Sequence, residues 1–213
     1  MAHRVVLFDL DGTLVDSIEL IVQAATWAFT HVQGRSPDRD EIMSGIGKPL
    51  VTQFGAYARD EAELHRLVQA YREHQMLHHD TMTKPYDGVN DVVAWLAGDG
   101  RSLGVVTSKI EPLAHRALDL IGLREHFDLV VGIESTTRHK PEPDPLWFAM
   151  ERLGGERAEA VYIGDSPFDL RAARAAGIDS IAVTWGAFSE ATLRAEQPTA
   201  VARSAAELRA QLS

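Results

Sequence analysis

The chain has 213 residues, 45% of them hydrophobic, which suits one generous domain or a domain carrying a smaller insertion. It has no cysteine, so disulfides, thiolate metal sites and cysteine nucleophiles are excluded. A formal net charge of -10, with no Lys or Arg runs, argues against a nucleic-acid surface but leaves room for a small anion in a locally cationic pocket.

The first predicted element is a strand, Val5-Val6-Leu7-Phe8, apolar at every position and so expected in a sheet covered on both faces. It runs into Asp9-Leu10-Asp11-Gly12-Thr13, where an extended backbone points both carboxylates the same way. Two such charges beside a sheet are costly unless a cation or a catalytic task compensates. Asp16-Ser17 then opens a helix, with Ser17 as N-cap and Ile18, Ile21, Val22, Ala25 and Phe29 on a broad apolar face ending near Gly34. A short helix after Pro37 and a flexible loop, Gly45 to Pro49 with the single cation Lys48, come next. A second long helix runs from Asp60 to about His78, with Leu64, Leu67, Val68 and Tyr71 on one face. The stretch 16–82 reads as helical without a strand, and Thr83 to Gly88 reads as a polar hinge.

Beyond the hinge, strands and helices alternate. Strands are expected at Leu103–Thr107, Leu129–Val131, Ala160–Ile163 and Ile181–Thr184. Helices are expected at Val89–Leu96, Glu111–Leu120, Pro143–Leu153 and Leu170–Ala176, and the Ala-rich tail from Glu190 reads as helical. Repeated βαβ units of this kind build a mostly parallel sheet flanked by helices, with ligands at the strands' carboxyl edge. The expected organisation is an α/β core, residues 1–15 and 83–213, interrupted by a helical module, residues 16–82.

Each strand delivers polar residues to that edge: Asp9 and Asp11; Thr107, Ser108 and Lys109; Lys140 in the loop after the third strand; and Asp165 and Asp169. Carboxylates without His or Cys partners suit a hard six-coordinate cation, so Mg²⁺ is the expected cofactor. A lysine, hydroxyls and backbone N–H groups beside it suit the oxygens of a phosphoryl group.

These segments resemble the four motifs of the haloacid dehalogenase-like phosphohydrolase superfamily: Asp9 to Thr13, Thr107, Lys140-Pro141, and Gly164-Asp165 with Asp169. The resemblance covers nearly the whole chain and implies a Rossmann-like core with an inserted all-helical cap of the first type. It implies that Asp9 is the nucleophile and forms an aspartyl-phosphate, and that Asp11 is the general acid and base, with its carbonyl on the metal. It implies further that Asp9, Asp11, Asp165 and Asp169 surround the ion, Asp169 alternatively orienting Lys140. Thr107 and the Ser108 N–H would hold phosphoryl oxygens, with Gly12 and Thr13 beside them. Many relatives carry Asn where this chain has Ser108. Lys48 would descend from the cap onto the distal part of the substrate, while Lys109 reads equally as a surface residue at a helix start.

The phrases Pro85-Tyr86-Asp87-Gly88 and Ala172 to Gly177 look most like phosphoglycolate phosphatases, so 2-phosphoglycolate is the expected substrate. Inorganic pyrophosphatases, sugar-phosphate phosphatases and phosphomutases look nearly as similar. Pyrophosphate would need more positive charge from the cap, to which Arg59, Arg66 or Arg72 would contribute. Sugar phosphates would want neutral contacts from Thr52, Gln53 or Tyr57. A phosphoacceptor binding module is the alternative outside enzymes, and the helical insertion and Asp11 argue against it. His78 and His79 read as surface, and Trp27, Trp95, Trp147 and Trp185 as core or interface. No stretch is apolar for the length of a membrane span, and no signal peptide precedes the first strand, so a cytoplasmic protein is expected, with its oligomeric state open.

Overall fold

The computed structural model describes residues 3–213. Strand β1 (Val5–Phe8) is buried along its whole length. Its side chains alternate between two cores, Val6 and Phe8 entering one and Val5 and Leu7 the other. Burial on both faces is why the strand is apolar at every position.

The chain then turns tightly, with the N–H groups of Leu14 and Val15 both donating to the Leu10 carbonyl, and forms the short strand β2 (Val15–Asp16). Four helices follow: α1 (Ile18–Gln33), α2 (Arg39–Met43), α3 (Leu50–Gly55) and α4 (Glu61–Met82). Ile21, Val22, Ala25 and Phe29 of α1 pack on Leu67, Val68 and Tyr71 of α4, and Phe54 of α3 closes that core. Its ring lies edge-on to Phe29 at 5.0 Å and to Tyr71 at 5.5 Å between centroids. Asp60 caps α4 by accepting from the Glu63 N–H at 2.7 Å. These helices have a core of their own and form the inserted all-helical cap.

Strand β3 (Lys84–Pro85) returns the chain by pairing antiparallel with β2. The polar hinge of the sequence is therefore half of a two-stranded ribbon. The remaining elements are α5 (Val89–Gly98), β4 (Ser102–Val106), α6 (Glu111–Leu120), β5 (Leu129–Val131), α7 (Asp144–Leu153), β6 (Ala160–Gly164), α8 (Pro167–Ala176), β7 (Asp179–Val183), α9 (Glu190–Ala195), β8 (Ala200–Ala202) and α10 (Ala205–Leu212). The larger sheet has six strands in the order β5-β4-β1-β6-β7-β8, every pair parallel. With β1 at the centre, β4 and β6 on either side bring their carboxyl ends next to Asp9.

Several expectations differ from the structure. The tail from Glu190 contains β8, which extends the sheet beside β7; three residues flanked by helix-forming alanines carry too little pattern to show it. Helix α3 was not expected between the Lys48 loop and Asp60. His79 is fully buried and its Nδ1 lies 2.8 Å from Asp80 Oδ1, so it is no surface residue. Trp27 is 48% exposed, stacked against His31 and His74 rather than buried in a core.

Candidate active site

The sheet places Asp9 one residue beyond β1, where its N–H still continues the ladder by donating to the Ile163 carbonyl at 2.8 Å. Asp165 lies one residue beyond β6, and Thr107 one residue beyond β4 with its N–H on the Val131 carbonyl at 3.0 Å. Three neighbouring parallel strands thus bring residues more than fifty positions apart to one edge. Gly12, at φ +86°, crosses so close to Asp165 that a Cβ there would collide with the carboxylate, as it would at Gly186. The Thr13 hydroxyl donates to Asp165 Oδ1 at 3.3 Å and the Ala187 N–H to Oδ2 at 2.7 Å. Gly12 and Thr13 therefore brace Asp165.

Lys140 is buried at the centre of this group. Its Nζ donates to Asp9 Oδ1 at 2.8 Å, Asp169 Oδ1 at 2.7 Å, the Tyr162 hydroxyl at 3.0 Å and the Val106 carbonyl at 3.4 Å. Asp169 is at once the third residue of α8 and half of a capping box: its Oδ2 accepts from the Ser166 N–H at 3.0 Å and hydroxyl at 2.6 Å. Local helix chemistry so fixes the carboxylate that holds Lys140. Tyr162 was not singled out in the sequence, because a tyrosine in an apolar strand reads as packing.

The charges do not balance. Asp9, Asp165 and Asp169 are buried, each with a carboxylate oxygen within 4.8 Å of the others, and among the described residues Lys140 is the one cation paired with them. Burial, opposed by Lys140 and reinforced by Asp169, pushes the Asp9 carboxyl up to about 7. Burial, then the charges of Asp169 and Asp9, holds Asp165 well above the usual carboxylate range. Burial alone would lower Lys140, but Asp169 and Asp9 outweigh it and keep its ammonium above the ordinary lysine value. A surplus of buried, all-oxygen donors fits a hard divalent cation.

Above the carboxylates lies a cavity of about 330 Å³ between core and cap. Asp9, Asp11, Thr107, Ser108 and Lys109 line it from the core, and Lys48, Arg72 and Gln75 from the cap. The Lys48 loop touches the core directly: the Ser108 hydroxyl donates to the Gly47 carbonyl at 2.8 Å, and Lys48 Nζ sits 5.1 Å from the Phe168 ring centroid. Ser17 leaves its capping role and donates its hydroxyl to Asp11 Oδ1 at 2.5 Å. Lys109 is no surface residue: its side chain is 6% exposed and its Nζ lies 2.6 Å from the same Asp11 oxygen. Arg59 is engaged by Glu63, and Arg66 is exposed away from the cavity. Among the candidates for neutral contacts, Thr52 and Gln53 line the cavity while Tyr57 packs on Phe29.

The family model described as haloacid dehalogenase-like hydrolase matches residues 6–183. The chain belongs to that family. A relative from Caldanaerobacter subterraneus subsp. tengcongensis, provisionally named pyrophosphatase PpaX, is 39% identical over 198 residues, 93% of this chain and 89% of the relative. The pyrophosphatase PpaX of Halalkalibacterium halodurans is 36% identical, covering 98% of this chain and 96% of its own. A solved structure from Lactobacillus delbrueckii subsp. bulgaricus, provisionally named phosphoglycolate phosphatase, is 25% identical. Its TM-score is 0.88, over 100% of this chain and 99% of that one. Family, fold and aspartate cluster together make this protein an enzyme, a phosphatase whose site suits an aspartyl-phosphate mechanism on a small phosphorylated substrate.

Proposed function

We propose that the chain is a Mg²⁺-dependent inorganic pyrophosphatase. The observation that carries this reading is the cation set of the cavity: Lys48 and Arg72 on the cap and Lys109 on the core all face the space above Asp9. This answers the want of positive charge that counted against pyrophosphate in the sequence. The names of the two curated relatives support the same substrate. 2-Phosphoglycolate, the substrate expected from sequence, is the second reading, because the same cations would hold its carboxylate.

In this reading residues 16–82 close over the site and residues 1–15 with 83–213 carry the chemistry. Asp9 Oδ attacks phosphorus while the bond to the leaving oxygen breaks, and the electron pair departs with that oxygen. The Thr107 hydroxyl and the Ser108 N–H hold oxygens of the transferred group. Lys140 aims and screens the Asp9 carboxylate, and Asp169 and Tyr162 keep Lys140 in place. Asp11 exchanges the proton, first with the leaving oxygen and then with the water that cleaves the aspartyl-phosphate. Asp9, Asp165 and the Asp11 carbonyl would hold Mg²⁺. Asp169 would stand beside the ion, and its ion pair with Lys140 at 2.7 Å, which Asp165 lacks, favours its orienting role. When bound, Mg²⁺ offsets the surplus carboxylate charge and lets an anionic substrate approach an anionic nucleophile.

The test is phosphate release from pyrophosphate, 2-phosphoglycolate and several sugar phosphates, each with Mg²⁺ and with chelator. Turnover of pyrophosphate should exceed the others by at least about tenfold and vanish with chelator or in Asp9→Asn. Preferential release from 2-phosphoglycolate would overturn the substrate assignment. No release from any substrate, with the protein folded and Mg²⁺ present, would overturn the assigned roles.

A further inference from the structure

Lys109 occupies an unusual position for a lysine beside a catalytic edge. Its backbone is pinned at both ends, the N–H on Thr107 Oγ1 at 3.2 Å and the carbonyl accepting from the Ile133 N–H at 3.0 Å. Its side chain is almost fully covered, yet the residue lines the cavity and its Nζ pairs with Asp11, another lining residue, 2.6 Å away. Asp11 does not depend on that contact alone, since Ser17 donates to the same oxygen at 2.5 Å. An ammonium on a four-carbon stem can therefore change partners within the cavity while its backbone, and a second donor to Asp11, stay in place.

Across the cavity stand Lys48 and Arg72, and among the described residues neither makes an ion pair with a carboxylate. An anion filling the space beyond the transferred phosphoryl group would lie between these two cap cations and Lys109. We propose that Lys109 is the core's own contact for an anionic leaving group, parked on Asp11 when the site is free and passing to the substrate when it is filled. The cap alone does not then define the distal subsite: the residue two positions after Thr107 reads the leaving group from the floor. In terms of substrate class, the enzyme prefers phosphate esters or anhydrides whose leaving group is itself an anion. The inference rests on the phosphatase reading and, for its preferred substrate, on the pyrophosphate assignment.

The experiment compares Lys109→Met, which keeps the stem and removes the charge, with Lys109→Arg, which keeps the charge. Steady-state kinetics with Mg²⁺ are measured on pyrophosphate, on 2-phosphoglycolate, and on ethyl phosphate, whose leaving alkoxide needs the Asp11 proton as that of 2-phosphoglycolate does but brings no charge to the distal subsite. Lys109→Met should lower kcat/KM for the anionic substrates about 30-fold more than for the uncharged alkyl ester, as loss of one charge-assisted contact implies. Lys109→Arg should restore most of that ratio. An equal loss on all substrates would overturn the proposal, since it would show that Lys109 acts only through Asp11 or the fold. Should Lys109→Met fail to fold, an unchanged substrate ratio after Lys109→Gln would have the same force. If the unaltered enzyme ignores pyrophosphate but cleaves 2-phosphoglycolate, the pyrophosphate assignment fails and the comparison with the uncharged alkyl ester still decides Lys109.

Discussion

The surplus of buried carboxylate charge predicts how Asp9→Asn alters stability. In the unfolded chain Asp9 takes its ordinary value of 3.8, while in the folded, metal-free protein it is pushed up to about 7. Between these two values the folded state keeps a proton that the unfolded state has lost. Stability therefore falls as pH rises, by about 1.4 kcal/mol per unit for this group. Integrated over the full interval, ionised Asp9 costs on the order of 4 kcal/mol above pH 7 in the absence of metal. Asparagine cannot ionise, so the Asp9→Asn protein escapes this cost. Urea unfolding in chelator at pH 5, 6, 7 and 8 measures the difference between the two proteins directly. The variant's stability relative to the unaltered protein should rise by on the order of 3 kcal/mol between pH 5 and pH 7. Adding Mg²⁺ at a hundred times its dissociation constant should return about 2.7 kcal/mol to the unaltered protein and less to the variant. A difference that stays flat with pH in chelator, or runs the other way, would show that the carboxylates are not in excess and would remove the argument for a cation there.

Two further predictions concern the cap. Phe54 is 1% exposed and meets two aromatic rings edge-on, so Phe54→Ala should cost about 3–5 kcal/mol in chemical denaturation; a loss below about 1 kcal/mol would mean that α3 is not part of the cap's core. Hydrogen bonds from the Arg59 side chain and backbone N–H draw the Glu63 carboxyl down to about 2, from an ordinary 4.5. A lowered carboxyl stabilises above its unfolded value and loses that contribution as pH falls through its folded one. The melting-temperature gap between the unaltered protein and Glu63→Gln should therefore be constant from pH 8 to pH 5 and close towards pH 2. A gap that widens on acidification would contradict the pairing.

Much of this was legible in the chain. The five strands of the sheet other than β8, the long cap helices and the edge carrying Asp9, Asp11, Thr107, Lys140, Asp165 and Asp169 follow from local pattern. A strand buried on both faces must be apolar throughout, and a parallel sheet exposes its next residues at one end. Side-chain partners were less accessible. Ser17 is a sound N-cap by sequence, yet its hydroxyl serves Asp11, because the tight turn after β1 folds back on the start of α1. Tyr162 reads as packing and Lys109 equally as a site or a surface residue for the same reason, since nothing near them in the chain shows the carboxylates they meet.

The sequence by itself determined the class of chemistry and the elements that present it, because periodicity and strand-end residues are local properties. Only the tertiary structure decided that β8 joins the sheet, that His79 is buried, and that Arg72 rather than Arg59 or Arg66 faces the cavity. It also decided the charge balance: Asp9 meets Asp165 and Asp169 from a distant segment, and one lysine pairs with only two of the three carboxylates. Such a balance depends on distances between elements that only packing sets, and the fit of the site to a cation arises from it.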